Sequence, residues 1–196
     1  MIRHEFVGPI KTDRLALRLM TLADHDDVFE WMSNPEVARY QLYEPRTPLQ
    51  VADHIAKVAQ ATTLVADGDF IELGVVLPAM AEERDRVIGC IYFSLKRTDD
   101  LTAEIGWSFA VAHQGKGYAT EAASAVLDFA FSDLALHRVY AELDPRNTSS
   151  VRLCERLGMR HEAHFVEDMM FKGAWANTGV YGILDREWAA HRRHTS

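Results

Sequence analysis

Seven residues in the second half of the chain, Gln114-Gly115-Lys116-Gly117-Tyr118-Ala119-Thr120, have the types and spacing to bind an anion. They follow an alternating, strand-like run over residues 103–111 and open a helix-like run over 117–131. A glycine-rich turn at such a junction leaves several backbone N–H groups unpaired at a helix N-terminus. Those groups point outward, and with the helix dipole they favour negative charge, so they form a cradle for phosphate. The anion in turn suggests a nucleotide-like cofactor. Two familiar glycine fingerprints do not fit. A Walker loop needs Ser or Thr after its lysine, and Gly117 follows Lys116. A dinucleotide loop needs Gly-x-Gly-x-x-Gly, and position 120 is Thr. What stands there is Gln-x-x-Gly-x-Ala, which on its own also suits an ordinary strand–turn–helix corner.

Other reactive side chains point to little chemistry by themselves. His161-Glu162-Ala163-His164 lacks the His-Glu-x-x-His spacing of a zinc protease, so these histidines read as solvent-facing and no metal is expected. Cys90 and Cys154 form no Cys-x-x-Cys pair, which fits a reducing cytoplasm without a disulfide framework. The N-terminus has no apolar signal-peptide core, and no run approaches the ~18 apolar residues of a membrane span. A net charge of −8 argues against nucleic acid as a partner. The first hundred residues carry 11 Lys/Arg against 17 Asp/Glu, and the remainder 10 against 12. An anionic cofactor meets less repulsion in the second half, while the acidic first half suits a cationic acceptor.

The elements that must position the turn follow from periodicity. The 196 residues, 48% hydrophobic, suffice for one well-buried core, and the absence of repeats or low-complexity linkers predicts a single domain. Its core is expected over about 10–188, with a tail at 189–196 carrying His191 and His194. Alternation predicts strands at 14–19, 70–77, 87–95, 103–111, 137–143, 165–170 and 178–184, with a charged hairpin loop at 78–86. Helical spacing predicts helices at 21–40, interrupted by Pro35, at 48–62 behind Pro48, at 117–131, and a short one after the Asp144–Asn147 turn running to 157, with Gly158 as a left-handed cap. In the strand at 103–111, Ile105, Trp107, Phe109 and Val111 share one face, and Glu104, Gly106, Ser108 and Ala110 the other. The sum is a mixed α/β domain on one sheet, with its cleft near the fourth and fifth strands.

Collinear blocks carry a resemblance across most of the chain: Glu104-Ile105-Gly106-Trp107, Gln114 to Thr120, Asn147-x-x-Ser150 and Glu155-Arg156-Leu157-Gly158-Met159. With them stand Thr12-Asp13-Arg14-Leu15-x-Leu17-Arg18 near the start, and Gly173-x-Trp175 then Val180-Tyr181-x-Ile183-Leu184-x-x-Glu187-Trp188 near the end. In this order the chain resembles the GNAT superfamily of N-acetyltransferases, and most of all its ribosomal-protein-alanine (RimJ/RimL-like) branch. The resemblance implies the GNAT fold, a central twisted and mostly antiparallel sheet flanked by helices. It implies acetyl transfer from acetyl-CoA to a primary amine, on a protein N-terminus or a small molecule, by direct attack. The alternative is a non-catalytic acyl-CoA-binding sensor or interaction module. A homodimer is an expectation taken from the family alone.

The same resemblance assigns residues. Glu104 matches the family position that takes the acceptor's proton, since a protonated amine cannot attack. Backbone donors around Phe109, Ala110 and Val111 would meet the thioester oxygen and the pantetheine amides. Gln114, Gly115, Lys116, Gly117, Tyr118, Ala119 and Thr120 would hold the pyrophosphate, with Asn147 and Ser150 on the coenzyme arm. Many relatives place a tyrosine seven residues after this asparagine as the acid for the leaving thiolate. Here that residue is Cys154, more apt for packing, which leaves Ser150 or water as the proton donor. Trp31, Tyr40, Tyr43, Glu44, Trp107 and Trp175 are candidates for the acceptor side. Relatives often carry an Asp after the tryptophan of the last hairpin, whereas Ala176 and Asn177 follow Trp175.

Overall fold

The computed structural model describes residues 2–79 and 84–195. In chain order the main elements are β1 (His4–Glu5), β2 (Ile10–Lys11), β3 (Ala16–Leu19), α1 (His25–Met32), α2 (Pro35–Ala38), α3 (Pro48–Val58), β4 (Thr63–Leu64), β5 (Phe70–Leu77) and β6 (Arg86–Arg97). They continue with β7 (Thr102–Phe109), α4 (Tyr118–Asp128), β8 (Arg138–Leu143), α5 (Thr148–Arg156), β9 (Arg160–Phe171), β10 (Ala174–Leu184) and α6 (Asp185–Thr195). Eight strands form one sheet in the order β2-β3-β5-β6-β7-β8-β10-β9, and β1 pairs with β4 apart from it. Neighbours in the large sheet run antiparallel except β7 and β8, which are parallel.

Alternation along the strands sends apolar side chains to both faces of the sheet. On one face Leu73, Ile91, Phe93, Ile105 and Val139 pack against Ala122, Val126 and Leu127 of α4 and Leu153 of α5. On the other, Val76, Val87 and Cys90 pack under Val28 and Trp31 of α1 and Val51 and Ile55 of α3. Glu104, Gly106 and Ser108 point to that second side, which is only partly roofed, and there the cleft forms.

Several expected boundaries move for local reasons. The helix expected at 21–40 is broken at Ser33–Asn34: Asn34 accepts a bond from the Glu36 amide and Pro35 opens α2. The helix from Pro48 ends at Val58, short of 62. Val111 leaves the strand for a tight 3-10 turn over Val111–His113. The helix after the glycine turn ends its α-helical part at Asp128 and passes into a π-helical turn, Phe129–Asp133. Residues 80–83 of the expected hairpin loop lie outside the described residues. The last hairpin is far longer than alternation suggests, because most of β9 is exposed and carries no burial pattern. The expected tail is instead α6, anchored by Trp188, which is buried and donates from Nε1 to Asp128 at 2.8 Å.

Candidate active site

The parallel pair at the centre of the sheet is short. Thr102, Ala103 and Glu104 pair with Arg138, Val139 and Tyr140, after which β7 runs on to Phe109 and β8 to Leu143 with no further pairing. The strands therefore part at Glu104 and leave a wedge with unpaired backbone on its sides. Ala110 donates to Ile88 on the β6 side at 2.9 Å, so its N–H is already committed. Alternation then turns the amides of Trp107 and Phe109 to the wedge. Their carbonyls agree: Phe109 accepts from Gln114 Nε2 at 2.9 Å, and Trp107 from Gln41 Nε2 at 3.4 Å. The side chain of Gln114 thus ties the glycine turn to the strand end.

Beyond the wedge, Gly115 (φ 73°) and Gly117 (φ 82°) sit in the left-handed region that favours glycine, and Gly117 caps α4. Among the described residues, none of the amides from Gly115 to Thr120 donates to a backbone carbonyl, whereas Gln114 is bonded to Val111 and Glu121 to Gly117. The run of amides without a backbone acceptor thus begins at Gly115. Two arginines flank it that sequence reasoning did not assign. Arg14 bonds the Lys116 carbonyl at 3.2 Å, lies over the Tyr118 ring and pairs with Glu121 at 2.7 Å; Arg156 donates to Thr120 Oγ1 at 3.1 Å. Only the folded chain brings residues 14 and 156 to this turn. The exposed amides, the helix end and the cations together fit a diphosphate ester.

A cavity of about 600 Å³ opens across β5 to β8 and takes in the mouth of the wedge, and Glu104, Trp107, Asn147 and Ser150 line it. Glu104 is paired with Lys96 at 2.7 Å. Burial alone would lower the Lys96 ammonium, but the bond and charge of Glu104 outweigh it and hold it above its ordinary value. Glu142 lines the same cavity, and its carboxyl is raised, first by desolvation and then by the charge of Glu104. Periodicity alone gave no sign of this second carboxylate. The cavity wall carries Glu72, Glu104, Glu142 and Asp144 against Arg46 and Lys96, a balance that favours a cation.

Ser150 sits in the first turn of α5, where Asn147 caps the helix by accepting from the Ser150 amide at 3.2 Å. The Ser150 hydroxyl accepts from Trp107 Nε1 at 3.1 Å, which fixes its oxygen beside the wedge. Cys154, one turn on, is fully buried, and burial pushes its thiol up to about 12. Of the acceptor-side candidates, Trp31, Tyr40, Tyr43 and Trp107 line the cavity. Glu44 does not; it faces Lys172 at 3.4 Å. Trp175 is exposed beside Met170 on the last hairpin, also outside the cavity. Among the described residues, no group of three His, Cys, Asp or Glu is placed to hold a metal ion, and no helix is long and apolar enough to cross a membrane.

Comparison with known proteins identifies the family. The GNAT acetyltransferase domain matches residues 14–160. The uncharacterized N-acetyltransferase YnaD of Bacillus subtilis is 34% identical over 179 residues, 91% of this chain and 98% of that one. The ribosomal protein uS5-alanine N-acetyltransferase of Escherichia coli is 23% identical over 190 residues, covering 93% and 94%. A crystal structure of a GNAT-family acetyltransferase from Bacillus anthracis superposes with a TM-score of 0.79 at 31% identity, covering 91% of this chain and 99% of that one. The chain belongs to the GNAT acetyltransferase family, and it is an enzyme that moves an acetyl group from acetyl-CoA to an amine.

Proposed function

We propose that acetyl-CoA lies in the wedge, its pyrophosphate on the amides of Gly115 to Thr120 and its pantetheine arm along Trp107 and Phe109. The acceptor is a cationic amine that enters the cavity, and Glu104 accepts its proton. One observation carries this reading: the strands part at Glu104, so the carboxylate stands where wedge and cavity meet. Lys96 holds Glu104 in the absence of the acceptor. An incoming ammonium takes that place, gives up its proton to the carboxylate and attacks the thioester carbon directly. The Phe109 and Trp107 amides are the donors available to the developing oxyanion. The Ser150 hydroxyl, oriented by Trp107, is the protein group nearest in role to a proton donor for the leaving thiolate, with water as its substitute. These side chains and amides supply the steps without a metal. The cytoplasmic setting rests on the lone thiols, and assembly as a homodimer on the family resemblance.

Release of CoA thiol against a panel of peptide N-termini, aminoglycosides and polyamines tests the reading. Turnover with cationic amines is expected. Binding of acetyl-CoA with no release across the whole panel would instead favour the sensor role, which the family membership does not.

A further inference from the structure

The inner end of the cavity holds a second carboxylate for which acetyl transfer at Glu104 has no use. Glu72, on β5, is only 7% exposed, and His54 of α3 donates to it from Nε2 at 2.8 Å. Next to it is the Cys90 thiol, raised first by burial and then by the Glu72 charge. Ser108 is also only 7% exposed, and its hydroxyl makes no hydrogen bond, nor does the buried hydroxyl of Tyr43. Burial raises the Tyr43 phenol; Ser108 is close enough to oppose that rise, yet the two oxygens do not meet in hydrogen-bond geometry. A buried polar atom without a partner costs about 1–3 kcal/mol, a cost relieved by a water or by a ligand group that reaches it.

The chemistry of the missing partner follows from the groups present. Glu72, Ser108 and Tyr43 together offer oxygen acceptors, and an ammonium carries three N–H donors and no acceptor. Trp31 Nε1, also buried and unpaired, is a donor and plays no part in binding a cation. Arg46 stacks on Tyr43 with its guanidinium 4.7 Å from the ring centre, so one positive charge already faces the subsite and weakens its pull on another. The register gives the spacing. Glu72 lies opposite Tyr92, and Tyr92 opposite Gly106, so Glu72 stands two strand spacings, roughly 10 Å, from the strand that borders the wedge. Gly106 has no side chain there, and the Tyr92 side chain, which also lines the cavity, forms the floor between Glu72 and β7.

We propose that Glu72, held by His54 and flanked by Ser108 and Tyr43, grips a second, distal ammonium of the acceptor. The preferred substrate is then an α,ω-diamine, acetylated at the end beside Glu104 while the other end is anchored at Glu72. This deepens the acetyl-transfer reading and rests on it.

Steady-state kinetics with α,ω-diamines of increasing length, each against the monoamine of equal length, test the proposal in wild type, Glu72→Gln and Ser108→Ala. For the best diamine, wild-type kcat/KM is expected to exceed that of its monoamine roughly 10–100-fold, the worth of one or two charge-assisted bonds. Glu72→Gln should bring that ratio close to one by raising the diamine KM far more than the monoamine KM; Ser108→Ala should lower it several-fold. Equal wild-type kcat/KM for both amines, or equal losses for both in Glu72→Gln, overturns the subsite and leaves acetyl transfer standing. If Glu72→Gln fails to fold by its melting curve, an unchanged ratio in Ser108→Ala overturns it. No turnover of any amine overturns the subsite and the acetyl-transfer reading together.

Discussion

Glu104 and Lys96 sit 2.7 Å apart, so the group assigned to proton removal starts out engaged by a cation. Lys96 is held above its ordinary value, which keeps it charged throughout neutral and mildly alkaline conditions. Glu104→Gln is expected to lower kcat roughly 10²-fold near neutral pH, and less at high pH where the amine is already neutral. An unchanged pH–rate profile in that variant would remove Glu104 from the mechanism. Cys154 has the opposite status: with its thiol pushed up to about 12 it carries no thiolate at neutral pH. Cys154→Ala should therefore keep kcat within a few-fold of wild type; a loss beyond ~10³-fold with normal CoA binding would reveal a covalent route instead. The sequence already offered packing as the role of Cys154, because a cysteine on the apolar stripe of a helix is usually a small hydrophobe. It gave no hint that Lys96 would hold Glu104, since that ion pair joins facing strands.

At the scale of elements, the turn between β7 and α4 depends on backbone that only glycine adopts easily. A Cβ at Gly117 would stand in the left-handed region, at a cost of about 1–2 kcal/mol, and would meet Arg14 Nη2 at 3.3 Å. Gly117→Ala is expected to raise the KM for acetyl-CoA roughly tenfold, about 1.4 kcal/mol, and to lower the melting temperature by about 2–8 °C. An unaltered KM would show that the amides of this turn do not hold the cosubstrate. The turn was legible in the sequence because glycine spacing is a local signal. The wedge beside it was not: nothing in the alternation of 103–111 says that β8 stops pairing with β7 at Tyr140. Nor did the alternation show that the Ala110 amide is spent on Ile88.

For the molecule as a whole, α6 closes one end of the core, where 189–196 had read as a tail. The alternation of charged and apolar residues in 185–195 is weak; the helix docks through buried Trp188, which bonds Asp128, with ion pairs of Arg192 to Asp128 and of Glu187 to Arg160 beside it. Trp188→Ala should destabilise by roughly 3–5 kcal/mol. That corresponds to a fall of about 6–20 °C in the melting temperature, which differential scanning calorimetry would read. A shift under 2 °C would mean that the helix is not part of the folded core. Acid stability follows from carboxylates held below their ordinary values. Burial raises Asp24, Glu121 and Glu187, but their bonds to Arg18, to Thr12 and Arg14, and to Leu184 and Arg160 more than offset it; Arg146 lowers Asp144 directly. Groups of this kind stabilise the fold fully above the ordinary carboxylate range and lose that contribution as pH falls through their lowered values. Melting temperature should therefore be flat near neutrality and drop below about pH 4. Asp24→Asn should make that drop shallower, and an equal slope would exclude Asp24 from the acid transition.

The family resemblance offered Glu104 as the candidate base; by itself the sequence determined the mixed α/β class, the order of the main strands and helices and the glycine turn proposed to hold an anion. Each of these is written in short-range spacing: period two, period 3.6, or glycines a fixed distance apart. Only the tertiary structure decided where β7 and β8 separate, which amides face the wedge, and that Arg14 and Arg156 flank the turn. It also decided that Glu72, Ser108 and Tyr43 meet in one cavity while Glu44 and Trp175 stay outside. Those features depend on which strands become neighbours and in what register, and contacts between residues far apart in the chain leave no periodic trace in it.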